Sequence, residues 1–202
     1  MSFVHRWDPA TSPDESRVAL VLHGTGGDEH SLVPFAQALL PGAAVLSLRG
    51  RVSENGAPRF FRRFTEGVFD FDDIRVQADA LAEFLREAAR DRDFDLKNVV
   101  AIGYSNGANM AVSTLLTNPD VIAEMVLFRP QLVLADAETP LHGKRAFISA
   151  GRRDPIVPSD SVEALVTLLT GLGADVDLNW SEGGHELSRA DIMAASAWLG
   201  LA

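Results

Sequence analysis

Val99-Val100-Ala101-Ile102-Gly103-Tyr104-Ser105-Asn106-Gly107-Ala108-Asn109-Met110-Ala111-Val112 decides the fold, because it reads as strand, tight turn and helix in immediate succession. Val99–Ile102 is short, β-branched and uncharged, the pattern of an inner strand. The helix-like stretch from Ala108 runs to Asn118-Pro119, a stop signal. Between them Ser105 sits at the centre of Gly-x-Ser-x-Gly. Strand, turn and helix form the context in which that pattern becomes a nucleophile elbow. A serine held at positive φ needs neighbours without a Cβ, so that strand and helix can approach. Taken alone, the pentapeptide reads equally as a small-residue turn.

Working outward, strand-like runs recur at Phe3–Trp7, Val18–Leu22, Ala44–Leu48, Glu124–Phe128, Ala146–Ser149 and Val176–Trp180. Helical patterns lie between the later ones. Ile74, Ala78, Leu81, Leu85 and Ala88 form one apolar stripe; Val162, Leu165, Val166 and Leu169 form another. Ser188 with Asp191 three residues on resembles a capping box opening a last helix. This alternation predicts an α/β fold over 1–202 as one domain. Counting Val99–Ile102, the sheet has about seven strands, mostly parallel and twisted, with helices on both faces. The polar turn Asp8–Ser16 predicts that the first two strands pair antiparallel at an edge.

Composition narrows the function. A length of 202 residues suits one core, and 47% hydrophobic with 23% charged residues is ordinary for a globular protein. A net charge of −10 argues against nucleic acid or an anionic membrane as partner. The chain has no cysteine, which excludes disulfides, zinc–thiolate sites and a cysteine nucleophile. Met1–Asp8 lacks the pattern of a signal peptide and no apolar run is long enough to span a bilayer. The expectation is a cytoplasmic protein without membrane insertion.

A serine hydroxyl is a weak nucleophile, so an elbow calls for a histidine and an orienting acid further along. In this fold class they follow in the order Ser, Asp or Glu, His, each after a strand. Asp154 follows the strand at Ala146–Ser149, and His185 follows the one at Val176–Trp180, between Gly183-Gly184 and Glu186. Each alone reads as a turn or loop residue; together and in order they predict a Ser105–His185–Asp154 triad. An oxyanion needs preorganised N–H donors. One is the amide of Asn106; the other is expected from His23-Gly24-Thr25-Gly26-Gly27-Asp28, with Thr25 as the donor. A phosphate loop is the weaker reading of that segment, since the Walker lysine is missing. His23 is a second candidate base, or else a brace for the loop. No metal-ligand spacing is present.

These motifs, together with Gly103–Asn109, Gly151–Asp154 and Gly183–His185, resemble the phospholipase/carboxylesterase family of α/β-hydrolases, which includes the acyl-protein thioesterases. Glu54-Asn55-Gly56 through Arg59-Phe60-Phe61-Arg62-Arg63 is similar to a bacterial subgroup linked to hydroquinone and catechol metabolism. The resemblance implies an α/β-hydrolase fold and a serine carboxylesterase that acts on a small-molecule ester without cofactor, often as a homodimer. The chain departs from the thioesterase branch at Asn106, where those enzymes usually carry glutamine. Thioester, lactone, amide or lysophospholipid substrates and a non-catalytic binding protein are the alternatives. The missing cysteine counts against a dienelactone hydrolase, because that family uses cysteine.

Residues 49–70 fit neither strand nor helix and read as a long Phe/Arg-rich loop near the active site. Phe60, Phe61, Phe64 and Phe69 wall the substrate pocket on one reading and anchor the loop to the core on the other. Arg59, Arg62 and Arg63 meet an anionic group, or face solvent and pair with acids.

Overall fold

A computed structural model describes residues 3–201; Met1, Ser2 and Ala202, part of the predicted span 1–202, lie outside the described residues. The elements run β1 (His5–Asp8), β2 (Val18–Leu22), α1 (Val33–Leu39), β3 (Ala44–Leu48), β4 (Val52–Glu54), β5 (Ala57–Arg59), β6 (Arg63–Thr65), β7 (Val68–Phe69) and α2 (Phe71–Arg92). They continue with β8 (Val99–Tyr104), α3 (Asn106–Thr117), β9 (Glu124–Phe128), β10 (Arg145–Gly151), α4 (Ser159–Gly171), β11 (Asp175–Ser181) and α5 (Arg189–Trp198). Seven strands form one sheet in the order β1-β3-β2-β8-β9-β10-β11, parallel except for β1.

The apolar strands lie inside because both of their faces are covered. Along β2, Val18, Leu20 and Leu22 face a core shared with α2, α3 and α4, while Ala19 and Val21 face one shared with α1 and α5. The alternation is the period-two geometry of a strand. The predicted stripe of α2 is buried along its length. Fully burying Ile74, Leu81 and Leu85 stabilises by roughly 2 kcal/mol each, which outweighs helix propensity in setting how α2 docks. Asp70 caps α2 by accepting from Asp73 N–H at 3.0 Å, and Ser188 and Asp191 form the predicted capping box at α5.

The expected edge pair is corrected. β1 pairs antiparallel with β3, from His5 opposite Leu48 to Asp8 opposite Val45, and not with β2. Both edges of β2 are taken by the parallel partners β3 and β8. β2 is buried at every residue and suits that central place, whereas β1 is half-buried and suits an edge. The intervening turn crosses the sheet end instead, with Thr11 and Ser12 N–H donating to Gly42 O at 2.9 and 3.2 Å.

Residues 49–70 are not a plain loop but two small hairpins, β4–β5 and β6–β7. Asn55-Gly56 joins the first with φ of 51° and 89°, the two positive values that a type I′ turn requires. Asn-Gly is the sequence signal for that turn, and the Phe/Arg content masked it. Among the described residues no helix is long and apolar enough to cross a membrane.

Candidate active site

The parallel strands bring the residues that follow β2, β8, β9, β10 and β11 to one edge of the sheet, where open α/β sheets hold their ligands. Ser105 lies between β8 and α3 at φ 52° and ψ −116°, in the region that strained elbow residues occupy. The elbow depends on close approach. A Cβ on Gly107 would lie 2.1 Å from Leu22 O, and one on Gly103 2.6 Å from Ala108 Cα. Ser105 N–H donates to Phe128 O at 2.9 Å, which ties the turn to β9.

Asp154 and His185 meet Ser105 here. His185 Nδ1 lies 2.8 Å from Asp154 Oδ2, and His185 Nε2 lies 2.9 Å from Ser105 Oγ. The Asp154 side chain is 1% exposed, and its other oxygen accepts from Ile156 and Val157 N–H at 2.8 and 3.0 Å. Those bonds orient the carboxylate independently of the histidine. The acid and histidine loops also bind each other, Arg153 N–H donating to Gly183 O at 3.0 Å and Arg153 Nε to Glu182 O at 2.7 Å. A carboxylate, imidazole and hydroxyl in this line can move a proton off the hydroxyl while holding the imidazole in one tautomer.

Thr25 and Asn106 both border the cavity in front of Ser105. Among the described residues neither backbone N–H donates to a protein acceptor, whereas Gly26 N–H is taken by Pro58 O and Gly27 N–H by Gly24 O, each at 3.0 Å. Asn106 opens α3, where helix amides are unpaired and the dipole favours negative charge. The 49–70 segment braces these donors. Arg59 Nη1 donates to Thr25 Oγ1 at 2.7 Å, and Phe60 N–H to Asn106 Oδ1 at 2.7 Å.

His23 is buried at 1% exposure and bonds away from the serine. Its Nδ1 is 2.6 Å from Gly24 O, and its Nε2 accepts from Gly50 N–H at 3.0 Å, so the ring is the neutral Nδ1–H tautomer that braces the loop. Burial pushes its pKa below the ordinary value, against the opposing bond to Gly24 O. In the unfolded chain the ring takes up a proton near pH 6.5, whereas in the folded chain it does so only at a lower pH. Stability therefore falls as pH drops below about 6.5, through the unfolded value toward the lower folded one. Denaturant titrations between pH 7 and 5 should show a steeper loss for the parent than for His23→Gln; equal slopes would remove His23 as the cause.

Of the four phenylalanines read as pocket walls or core anchors, Phe69 borders the cavity, while Phe60, Phe61 and Phe64 do not. Phe60 and Phe61 are 1% and 0% exposed, packed in the core with α2 and α3, and neither lines the cavity. Phe64 is 71% exposed on β6. Phe60 and Phe61 lie in the link between β5 and β6 and both turn into the core, whereas Phe64 lies on β6 and faces outward, a difference that composition cannot resolve. The cavity at Ser105 has a volume of about 250 Å³ and is lined by Thr25, Arg63, Glu66, Tyr104, Ile156 and His185. Its inner end meets Arg59, Phe69, Asn106, Asn109 and Gln131. Arg59 and Arg63 both pair with Glu54, and Arg63 also with Glu66, so the lining is polar but balanced in charge. A larger groove of about 570 Å³ at Phe71, Arg75 and Leu132–Asp136 contains none of Ser105, Asp154 and His185. Among the described residues no three His, Asp or Glu side chains converge as a metal-ligand set.

Two residues escaped the sequence reading. Tyr104 precedes the serine, its ring beside His185 and its hydroxyl donating to His185 O at 3.2 Å. Burial raises its phenol pKa, which keeps that donor protonated. Arg129 directly follows β9, a charge at the end of an apolar strand, and that position was the available signal.

A serine elbow facing an Asp–His pair at the carboxyl edge of a mostly parallel sheet defines the class as an α/β-hydrolase. The sequence model of the dienelactone hydrolase family matches residues 50–190, and the chain belongs to that family. The expectation that the missing cysteine counts against this family is therefore overturned, since the elbow within the matched span carries Ser105. The chain is 40% identical to MhqD of Bacillus subtilis (strain 168) over 195 residues, 96% of each protein. It is 42% identical to the Bacillus cereus carboxylesterase, with a TM-score of 0.95 over 98% of this chain and 93% of that one. YahD, solved with malic acid, is 31% identical with a TM-score of 0.91, covering 98% of each chain. The chain is a hydrolase of carboxylesterase type.

Proposed function

We propose that the chain hydrolyses small, short-acyl esters through an acyl-enzyme on Ser105, with His185 as general base and Asp154 as its orienting acid. The observation that carries this reading is the line from Asp154 Oδ2 through His185 to Ser105 Oγ, with contacts of 2.8 and 2.9 Å. Ser105 Oγ attacks the ester carbonyl carbon as its proton passes to His185 Nε2. The carbonyl oxygen becomes an oxyanion held by the Thr25 and Asn106 amides. The imidazolium then protonates the departing alcohol oxygen, and water repeats the sequence to release the acid. A dimer belongs to the same proposal: Phe64, Val68, Phe71 and Val76 expose 71, 52, 56 and 61% of their surface within one short stretch. Light scattering should give twice 21.8 kDa; the monomer mass would reject it.

The size and lining of the cavity support the substrate class. A volume of about 250 Å³ with Arg63, Glu66 and Thr25 at its walls suits a compact acid with polar substituents and not a long alkyl chain. Malic acid in the related YahD is a molecule of that kind. The test is a panel of aryl esters, with matched thioester, lactone and amide analogues. Acetyl to butyryl esters should exceed octanoyl esters by at least about tenfold in kcat/KM, since each methylene a pocket cannot house costs about that much. A preference for octanoyl would overturn the size argument, and hydrolysis confined to thioesters or lactones would overturn the leaving group.

A further inference from the structure

Arg129 is a fully buried cation that no step of the proposed reaction uses. It stands directly after β9 at φ 56°, a left-handed conformation uncommon for a side chain of this size. Its guanidinium divides its donors among the ends of β10 and β11, Asp191 and the histidine loop; Nη1 meets Ser149 O and Oγ at 3.2 and 3.1 Å, and Nη2 meets Ser181 Oγ at 3.3 Å. Nε donates to Gly184 O at 2.8 Å and Nη2 to Glu186 O at 2.9 Å, the carbonyls on either side of His185. Tyr104 Oη holds the carbonyl between them, His185 O, at 3.2 Å. Three successive carbonyls are thus gripped by side chains from the ends of β8 and β9. The same strand ends position Ser105, whose N–H bonds Phe128 O. The loop needs such a grip, because residues 182–188 lie between β11 and α5 without helix or strand.

The other side of the guanidinium faces Asp191, itself fully buried, at 3.0 Å to each carboxylate oxygen. Asp191 also accepts from Ser149 Oγ at 2.5 Å and from Ser188 N–H and Oγ at 2.8 and 2.6 Å. Burial alone would raise its pKa, but the bonds from Arg129, Ser149 and Ser188 outweigh it and hold the carboxyl well below the usual range. A buried pair of this kind is poor evidence for stability, since apolar replacements often do as well.

We propose that Arg129, held in place by Asp191, is a positioning residue for His185: it sets the 184–186 backbone so that the imidazole spans Asp154 and Ser105. The proposal rests on the reading of His185 as the base. Arg129→Lys tests it, because an ammonium keeps the charge opposite Asp191 but lacks the planar fork that reaches both carbonyls and both carboxylate oxygens. The expected result is a folded protein, by circular dichroism and cooperative melting, whose kcat falls about 100-fold with KM nearly unchanged. The downfield proton resonance of the His185–Asp154 hydrogen bond should shift or broaden, and fluorophosphonate labelling of Ser105 should slow in proportion. Arg129→Met combined with Asp191→Leu removes both charges and should show the same losses, and it decides the matter if the lysine variant does not fold. A folded variant with kcat within about twofold of the parent and an unchanged histidine resonance would make the pair a scaffold only. Failure of the parent itself to label at Ser105 would instead remove the triad reading, a result distinct from failure of the clamp.

Discussion

Ser105→Ala is expected to lower kcat toward a small aryl ester by about 10⁴-fold or more, with the fold intact. The change removes one oxygen, the atom 2.9 Å from His185 Nε2. What holds the elbow is backbone: Ser105 N–H to Phe128 O at 2.9 Å and Asn109 N–H to Ser105 O at 3.0 Å. Alanine keeps both, and its Cβ occupies the place of the serine Cβ. Residual turnover would come from the Thr25 and Asn106 amides acting on a water, as donors preorganised for an oxyanion still do without a nucleophile. Hydrolysis that persisted at more than a few per cent of the parent rate would mean that another group attacks.

Asp154→Asn is expected to cost about 10⁴-fold in kcat while leaving stability nearly unchanged. The direction follows from where the amide must sit. One Asp154 oxygen accepts two backbone N–H groups, from Ile156 and Val157 at 2.8 and 3.0 Å. An asparagine must keep its oxygen there, which turns its NH₂ toward His185 Nδ1. That nitrogen then has to accept, the ring proton moves to Nε2, and the base can no longer take the serine proton. Steady-state kinetics beside a denaturant melt check both halves. Retention of more than about a tenth of the parent kcat would show that Asp154 does not set the tautomer.

How far the residues themselves disclosed this arrangement differs by element. The seven strands of the sheet were legible, because an apolar β-branched run such as Val18–Leu22 or Val99–Ile102 has no other comfortable place than a covered strand. That Ser105, Asp154 and His185 meet was legible for a different reason, the order in which acid and histidine follow an elbow, each at the end of a strand. The hairpins of 49–70 were missed although Asn55-Gly56 announced one. Phe60 and Phe61 were read as pocket walls on one view, and nothing local separates a ring that fills a core from one that lines a cleft. Arg129 and Tyr104 carry no motif.

What the chain determines by itself is local: periodicity marks strand from helix, and the glycine at 103 is forced by a Cβ that would lie 2.6 Å from Ala108 Cα. What only the tertiary structure decides is which distant segments meet. It places β3 between β1 and β2, ties Phe60 N–H to Asn106, and lays the Arg129 guanidinium under the carbonyls of Gly184 and Glu186. The physical reason is that strand order and packing are set by how whole faces are buried together. Side chains far apart in the chain, such as Arg129 and Asp191, acquire their partners only when those faces close.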